Sequence, residues 1–130
     1  MNILAIRTDK PEAELYAYKD KVELGQLKWQ AHLKLSGTIH QKIEEILNKS
    51  SISLSELGGI VVFEGPGSFT GLRIGITVAN ALAYAQAIPV VACAGDDWLN
   101  EGIDRLASGN NDKIAKPEYG APPHITQPRK

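Results

Sequence analysis

The stretch GIVVFEGPGSFTGLRIGITVANALAYAQAIPVVACA, residues 59–94, decides the fold of this chain. Its first five residues are apolar and predict a buried strand, which runs into the glycine-rich turn GPGSFTG. Residues from about 70 to 87 are mostly apolar or small and predict a long helix that Pro89 stops. A second buried strand follows over residues 90–94. This alternation of strand and helix is typical of a sheet with helices packed on its faces.

Further strands are predicted ahead of this stretch. Residues 2–6 form a short apolar run, and residues 15–18 and 22–33 follow, with a polar turn at 19–21 between them. The last of these runs mixes apolar and polar side chains, as half-buried antiparallel strands do. We therefore expect the chain to open with a meander of three strands.

One amphipathic helix is predicted between the meander and residue 59, and another over residues 96–106. Thr38 and Gln41 lie three positions apart, which is the spacing of a capping box at a helix start. The apolar face of this first helix, at helical spacing, consists of Ile39, Ile43, Ile46 and Leu47.

The complete order is βββαβαβα, which predicts an α/β fold with a mixed five-stranded sheet. It is the order of the ribonuclease-H-like fold, which also builds each lobe of the actin-like ATPase and sugar-kinase superfamily. We expect this lobe to span residues 1–107. Residues 108–130 are rich in proline and poor in aliphatic side chains, so we expect them to form an extended tail.

Composition narrows the class of protein. The 130 residues suit one domain, and the net charge of −1 offers no basic excess of the kind that binds nucleic acid directly. Cys93 is the single cysteine, so an internal disulfide is excluded and a reducing, cytoplasmic setting is expected. We see no signal peptide, and no apolar run reaches the about 18 residues of a membrane span.

The glycine-rich turn leaves several alternatives open. As a phosphate cradle it lacks the Lys-Ser/Thr pair after its last glycine, and it also breaks the dinucleotide-binding pattern. As a catalytic residue, Ser68 lacks the G-x-S-x-G context, so capping of the following helix, shared with Thr70, is favoured. The turn consists of Gly65, Pro66, Gly67, Ser68, Phe69, Thr70 and Gly71.

Packing is the third alternative for this region. Small residues recur at every fourth position of the turn and helix, and such a ridge lets another backbone approach closely. Because the helix is apolar nearly all round, either the first helix of the same chain or a second protein must cover it. The pattern favours a protein interface. The ridge consists of Gly67, Gly71, Gly75, Ala79, Ala83 and Ala87.

The string GPGSFTGLRIG after an apolar strand resembles the signature of the bacterial TsaB (YeaZ) family. The opening MNILAI, the helix LSGTIHQKIEEIL and the strand IPVVAC are also similar to that family, so the resemblance covers about residues 1–107. The final EYGAPPHITQPRK resembles the end of some members. Since members are usually nearly twice as long, the resemblance implies an N-terminal lobe and closing tail without the lobe between them.

The resemblance implies a non-catalytic scaffold subunit in the machinery that places threonylcarbamoyladenosine on tRNA. Such a subunit binds and activates the catalytic TsaD, an ATPase called TsaE joins them, and tRNA is met only through the complex. No catalytic residue, cofactor or metal is expected, and the isolated chain is expected to form a homodimer. Carried onto this sequence, the helical partner interface is Ile39, Ile43, Ile46, Leu47, Gly71, Gly75, Ala79, Leu82 and Ala83.

Arg7 is a departure from the family, whose members usually carry an acidic residue after the first strand. The superfamily uses that position for metal–nucleotide chemistry, so Arg7 and the missing lobe argue against binding of Mg-ATP. A nucleotide-binding enzyme of the same superfamily and a self-associating domain without TsaD are the alternatives. A protease lacks a nucleophile–base pair, and His40 with Glu44 supplies too few ligands for a metal.

Overall fold

The computed structural model describes residues 1–119, and its order of elements confirms the predicted βββαβαβα. Short 3-10 turns at His32–Lys34 and Leu54–Glu56 precede the first helix and the fourth strand. Residues 120–130 of the predicted tail lie outside the described residues. The elements are β1 (Asn2–Arg7), β2 (Glu12–Lys19), β3 (Val22–Gln30), α1 (Leu35–Lys49), β4 (Leu57–Phe63), α2 (Phe69–Gln86), β5 (Val90–Cys93) and α3 (Trp98–Ala107).

The strands form one mixed sheet in the order β3-β2-β1-β4-β5, which confirms the predicted five strands. The opening meander pairs antiparallel, β1 with β2 and β2 with β3. The two later strands are parallel, β1 with β4 and β4 with β5. Helices connect these parallel strands, since a parallel neighbour can be reached only by a crossover.

Helices cover both faces of the sheet. α1 and α2 lie on one face over a core that includes Leu4, Ile6 and Ile60, all of them fully buried. α3 lies on the other face, where Val61 and Trp98 are buried. Because β1 and β4 are covered on both sides, their sequences are continuously apolar, whereas β3 at the edge alternates.

The start of α1 differs from the prediction. The helix begins at Leu35, and Thr38 lies inside its first turns, so the predicted capping box of Thr38 and Gln41 is wrong. The Thr38 hydroxyl donates to the Lys34 carbonyl oxygen at 2.8 Å and accepts from Trp29 Nε1 at 3.0 Å. The hydrogen bond from Trp29 on β3 to Thr38 therefore connects the edge strand to α1. The spacing of residues in the sequence does not indicate this contact.

A capping box does occur at another place, in the turn that leads into β4. The Ser53 N–H donates to Glu56 Oε1 at 2.8 Å, and the Ser53 side chain accepts from the backbone of Glu56. Among residues 1–119, no helix is both long enough and apolar enough to cross a bilayer.

Candidate protein interface

The glycine-rich turn lies between the end of β4 and the start of α2, and Ser68 is the N-cap of that helix. Its Oγ accepts the Gly71 N–H at 3.3 Å, and its own N–H donates to the Asp9 carbonyl oxygen at 3.0 Å. Capping by Ser68 is therefore confirmed, while Thr70 lies within the helix and does not share the cap. The Ser68 hydroxyl thus accepts a free backbone N–H of the first turn of α2, which is the role of an N-cap side chain.

The glycine ridge faces into this chain. Cβ atoms added at Gly67, Gly71 or Gly75 would collide with Thr8 or Asp9, the residues directly after β1. The Thr8 hydroxyl also donates to the Gly71 carbonyl oxygen at 2.7 Å. The four-residue recurrence thus allows α2 to lie against the end of β1, since only a residue without a side chain fits there.

Most of the predicted interface residues lie in the core of the folded chain. The four α1 residues are buried against the sheet, as are Gly75, Ala79 and Ala83, while Gly71 and Leu82 are half-buried. A helix on a sheet turns its most apolar stripe inward. Packing within the chain thus covers most of these side chains, and contact of any of them with a partner stays a prediction. The four α1 residues are Ile39, Ile43, Ile46 and Leu47.

The exposed side of α2 is unusual for its lack of charge. Arg73 is the single charged residue in Phe69–Gln86, although the helix also has exposed positions at Thr77, Ala81 and Tyr84. The Tyr84 side chain is 90% exposed. Depletion of charge, together with aromatic and arginine side chains, is typical of protein interfaces. The sequence analysis considered the ridge and did not single out this outer row of α2, although its low charge can be read from the sequence. The outer row consists of Arg73, Thr77, Ala81 and Tyr84.

A groove of 380 Å³ separates α1 from α2. A second groove of 390 Å³ adjoins it near the β1–β2 turn and shares Ser36, Thr70 and Ile74 with the first. Together these grooves and the outer row of α2 form one surface, which we call the helix-pair face. The residues that line the first groove are Ser36, Ile39, His40, Thr70, Arg73, Ile74, Thr77 and Val78.

An ion pair lies at the end of β1, on the side of the sheet that α3 covers. Arg7 Nε lies 2.8 Å from Asp9 Oδ1, and Arg7 Nη2 lies 3.1 Å from Asp9 Oδ2. The guanidinium also lies 3.9 Å from the centre of the Phe63 ring and 5.9 Å from that of Trp98. The hydrogen bonds that Arg7 donates to the Asp9 carboxylate raise the pKa of Arg7. The cation is therefore held by its own carboxylate and aromatic neighbours, as a bidentate and stacked arginine is.

Metal-binding side chains do not converge within residues 1–119, where no group of three or more His, Cys, Asp or Glu residues could hold an ion. His40 and Glu44, considered from the sequence, both line a groove beside α1 that also contains Leu47 and Leu54. Two side chains on a solvated helix surface do not make a metal site.

The fold is a single α/β lobe in which α1 and α2 lie side by side on one face of the sheet. A family model described as "TsaD: tRNA N6-adenosine threonylcarbamoyltransferase" matches residues 29–95, about half of the chain. The "tRNA threonylcarbamoyladenosine biosynthesis protein TsaB" of Bacillus subtilis (strain 168) is 32% identical over 101 residues, which is 76% of this chain and 43% of that protein.

Solved structures agree with this relationship. "YeaZ from Pseudomonas aeruginosa" superimposes with a TM-score of 0.67 at 26% identity, covering 72% of this chain and 43% of that one. Thermus thermophilus RuvC, at TM-score 0.52 and 15% identity over 96% of this chain and 85% of that one, shows the fold alone. The ribonuclease-H-like fold is thus confirmed.

The chain belongs to the TsaB (YeaZ) family. It spans about half the length of the curated relatives it matches.

Gly75 supplies a test of the inward-facing ridge, and Gly37 in α1 supplies its control. A Cβ at Gly75 would collide with the Thr8 side chain, whereas a Cβ at Gly37 meets nothing within 4 Å. We predict that Gly75→Ala lowers the free energy of unfolding by about 1–3 kcal/mol. Gly37 lies in the first turn of α1, so Gly37→Ala should raise it by at most about 0.5–1 kcal/mol, which is the gain of an alanine in a helix interior. Urea denaturation measures both; a Gly75→Ala variant as stable as the wild type would contradict the close contact.

Glu64, which follows β4, is expected to make the stability of the fold depend on pH. Desolvation by burial raises its pKa, and the carboxylates of Glu118 and Asp112 add to the rise. The folded state therefore binds this proton more tightly, so stability falls as pH rises from the ordinary pKa of 4.5 to the raised value. We predict that Glu64→Gln melts above the wild type at pH 7, and that this advantage shrinks towards pH 4.

Glu56 is the control of opposite sign, because its hydrogen bond with the Ser53 N–H lowers its pKa. The ionised Glu56 carboxylate stabilises the folded state at pH values above its ordinary pKa, and this stabilisation is lost as the pH falls through the lowered pKa. Glu56→Gln should therefore melt below the wild type at pH 7. Thermal melts of both variants across this pH range measure the two trends, and equal behaviour of the two would contradict the assignment.

Proposed function

We propose that this chain is a non-catalytic binding subunit in the synthesis of threonylcarbamoyladenosine on tRNA, and that it pairs with TsaD through the helix-pair face. The exposed outer row of α2, with Arg73 as its single charged residue, is the observation that carries the proposal. Membership in the TsaB family supplies the pathway, and a family model named for TsaD indicates that the partner has a related lobe.

The outer row suits a partner that brings a helix of its own. Thr77 and Ala81 are small and lie one helical turn apart, so another backbone can approach α2 between the larger Arg73 and Tyr84. Arginine and tyrosine, with tryptophan, are enriched among the side chains that dominate binding energy at interfaces. A lobe of the same fold presents equivalent helices, so the two proteins would pack helix on helix around a pseudo-two-fold axis.

Self-association uses the same surface in this proposal. Two copies related by a two-fold axis would cover each other's outer row, so a homodimer and the pair with TsaD compete. Contacts with TsaE and with tRNA arise within the complex, in keeping with a net charge of −1 on this chain.

Ala81→Arg tests the helix-pair face, and Ala107→Arg is the matched control. Both alanines are exposed, but Ala107 ends α3 on the opposite face of the sheet. A long charged side chain on the outer row separates the packed backbones. We therefore expect Ala81→Arg to weaken binding to TsaD at least about tenfold, with the fold intact. Titration calorimetry with purified TsaD measures the affinity, and Ala107→Arg should bind like the wild type.

Sedimentation of the same variants tests the shared surface. The wild type should form a dimer at micromolar concentration that TsaD dissociates, and Ala81→Arg should remain monomeric. A dimer that TsaD binds without splitting, or an Ala81→Arg chain that binds TsaD normally, would contradict the proposal.

A further inference from the structure

The outer edge of β5 is closed by residues that follow it in sequence. At Val90, the N–H donates to Asn111 Oδ1 at 3.2 Å and the carbonyl oxygen accepts the Asp112 N–H at 2.8 Å. At Ala92, the N–H donates to Asp112 Oδ2 at 2.8 Å and the carbonyl oxygen accepts from Arg105 Nη1 at 3.0 Å. The N–H and carbonyl groups with which Val90 and Ala92 would pair with a further strand are therefore already hydrogen-bonded to Asn111, Asp112 and Arg105.

Arg105 on α3 acts as a carboxylate receptor at this edge. Its guanidinium meets both oxygens of Asp112, with Nη2 at 2.5 Å from Oδ1 and Nη1 at 3.4 Å from Oδ2. Nη1 also contacts the Ala92 carbonyl oxygen and Cys93 Sγ, which fixes the planar group against β5. A guanidinium fixed in this orientation can donate two parallel hydrogen bonds to the two oxygens of a carboxylate.

Asn80 on α2 binds the backbone of Ala115, which follows Asn111 and Asp112 in the same segment. Its Oδ1 accepts the Ala115 N–H at 2.8 Å, and its Nδ2 donates to the Ala115 carbonyl oxygen at 3.0 Å. A side-chain amide that bonds both backbone groups of one residue imitates the pairing of two strands. Ala115 is 3% exposed, so this reciprocal pair lies at a buried position.

The far end of the segment touches the glycine-rich turn. The Glu118 N–H donates to the Glu64 carbonyl oxygen at 2.6 Å, and a Cβ at Gly65 would collide with the Glu118 carbonyl oxygen. The Tyr119 and Phe69 rings pack with their centres 4.5 Å apart. Contacts therefore run along the segment from residue 111 to residue 119.

We propose that the β5 edge, Arg105 and Asn80 form a docking site from which residues 111–119 of this chain can detach, and that the site recognises the segment by its adjacent side-chain amide and carboxylate. In this structure residues 111–119 of the chain occupy the site, with Asn111 and Asp112 as the amide and the carboxylate. The segment and Arg105 satisfy the sheet edge with three side-chain hydrogen bonds and the Asp112 N–H instead of a strand, so the segment can leave without unpairing β4 from β5. Its departure would expose an edge open to strand addition.

Asp112→Ala in the full chain tests the site by amide hydrogen exchange. The variant loses the bonds to Ala92 and Arg105, so the Val90 and Ala92 amides should exchange about tenfold faster. Amides of the central strand β1 should keep their rates. Lys116→Ala, in the same segment, is the control that should leave all these rates unchanged.

Two further experiments, the variant Asn80→Ala and an added peptide, test whether the segment docks and detaches as a unit. Asn80 touches no edge group of β5, so faster exchange at Val90 in Asn80→Ala would show that the segment detaches as a unit. A peptide of residues 110–119, at roughly millimolar concentration, should restore slow exchange in Asp112→Ala, and the same peptide with alanine in place of Asp112 should not. The proposal is overturned by unchanged exchange at Val90 and Ala92, by an equal rise throughout β1, or by no rescue with the peptide.

Discussion

The contact between α2 and the two residues after β1 is the constraint on which the rest of the structure depends. Gly71 and Gly75 lie against Thr8, whose hydroxyl bonds the carbonyl oxygen of Gly71, while the Asp9 carbonyl oxygen holds the N–H of Ser68. This fixes both the depth of the helix on the sheet and its rotation about its own axis. With that rotation set, Ala79 and Ala83 point inward and the row of Thr77 and Ala81 points outward.

The sequence predicted the fold well because each element carries its own signal. Continuous apolar runs marked the doubly covered β1 and β4, and the spacing of Ile39 and Ile43 marked α1. The error at the start of α1 arose because Thr38 has a cap-forming side chain but uses it to join Trp29 to the helix backbone. A hydroxyl in the first turns of a helix has both options, and its tertiary neighbour decides between them.

The candidate interface was harder to predict because α2 is apolar on more than one side. A ridge of small residues allows close approach whether the neighbour is another protein or the chain's own β1, and periodicity cannot distinguish the two. Charge can distinguish them, since a solvated outer row normally carries several charged residues and α2 has Arg73 alone. The docked segment was missed for another reason: Asn111 and Asp112 bond to a strand about 20 residues earlier through side chains, which leave no local periodicity.

The two surfaces proposed for α2 meet at one side chain. The Phe69 ring packs on Tyr119 of the docked segment and lies 5.3 Å from the guanidinium of Arg73 on the helix-pair face. A partner that draws Arg73 away from Phe69 removes a cation–π contact worth about 0.5–1 kcal/mol at an exposed site. Departure of the segment removes the packing of the Tyr119 ring on Phe69. Each event therefore changes the environment of the residue that begins α2, and that helix start is also what Ser68 and Asp9 hold against β1.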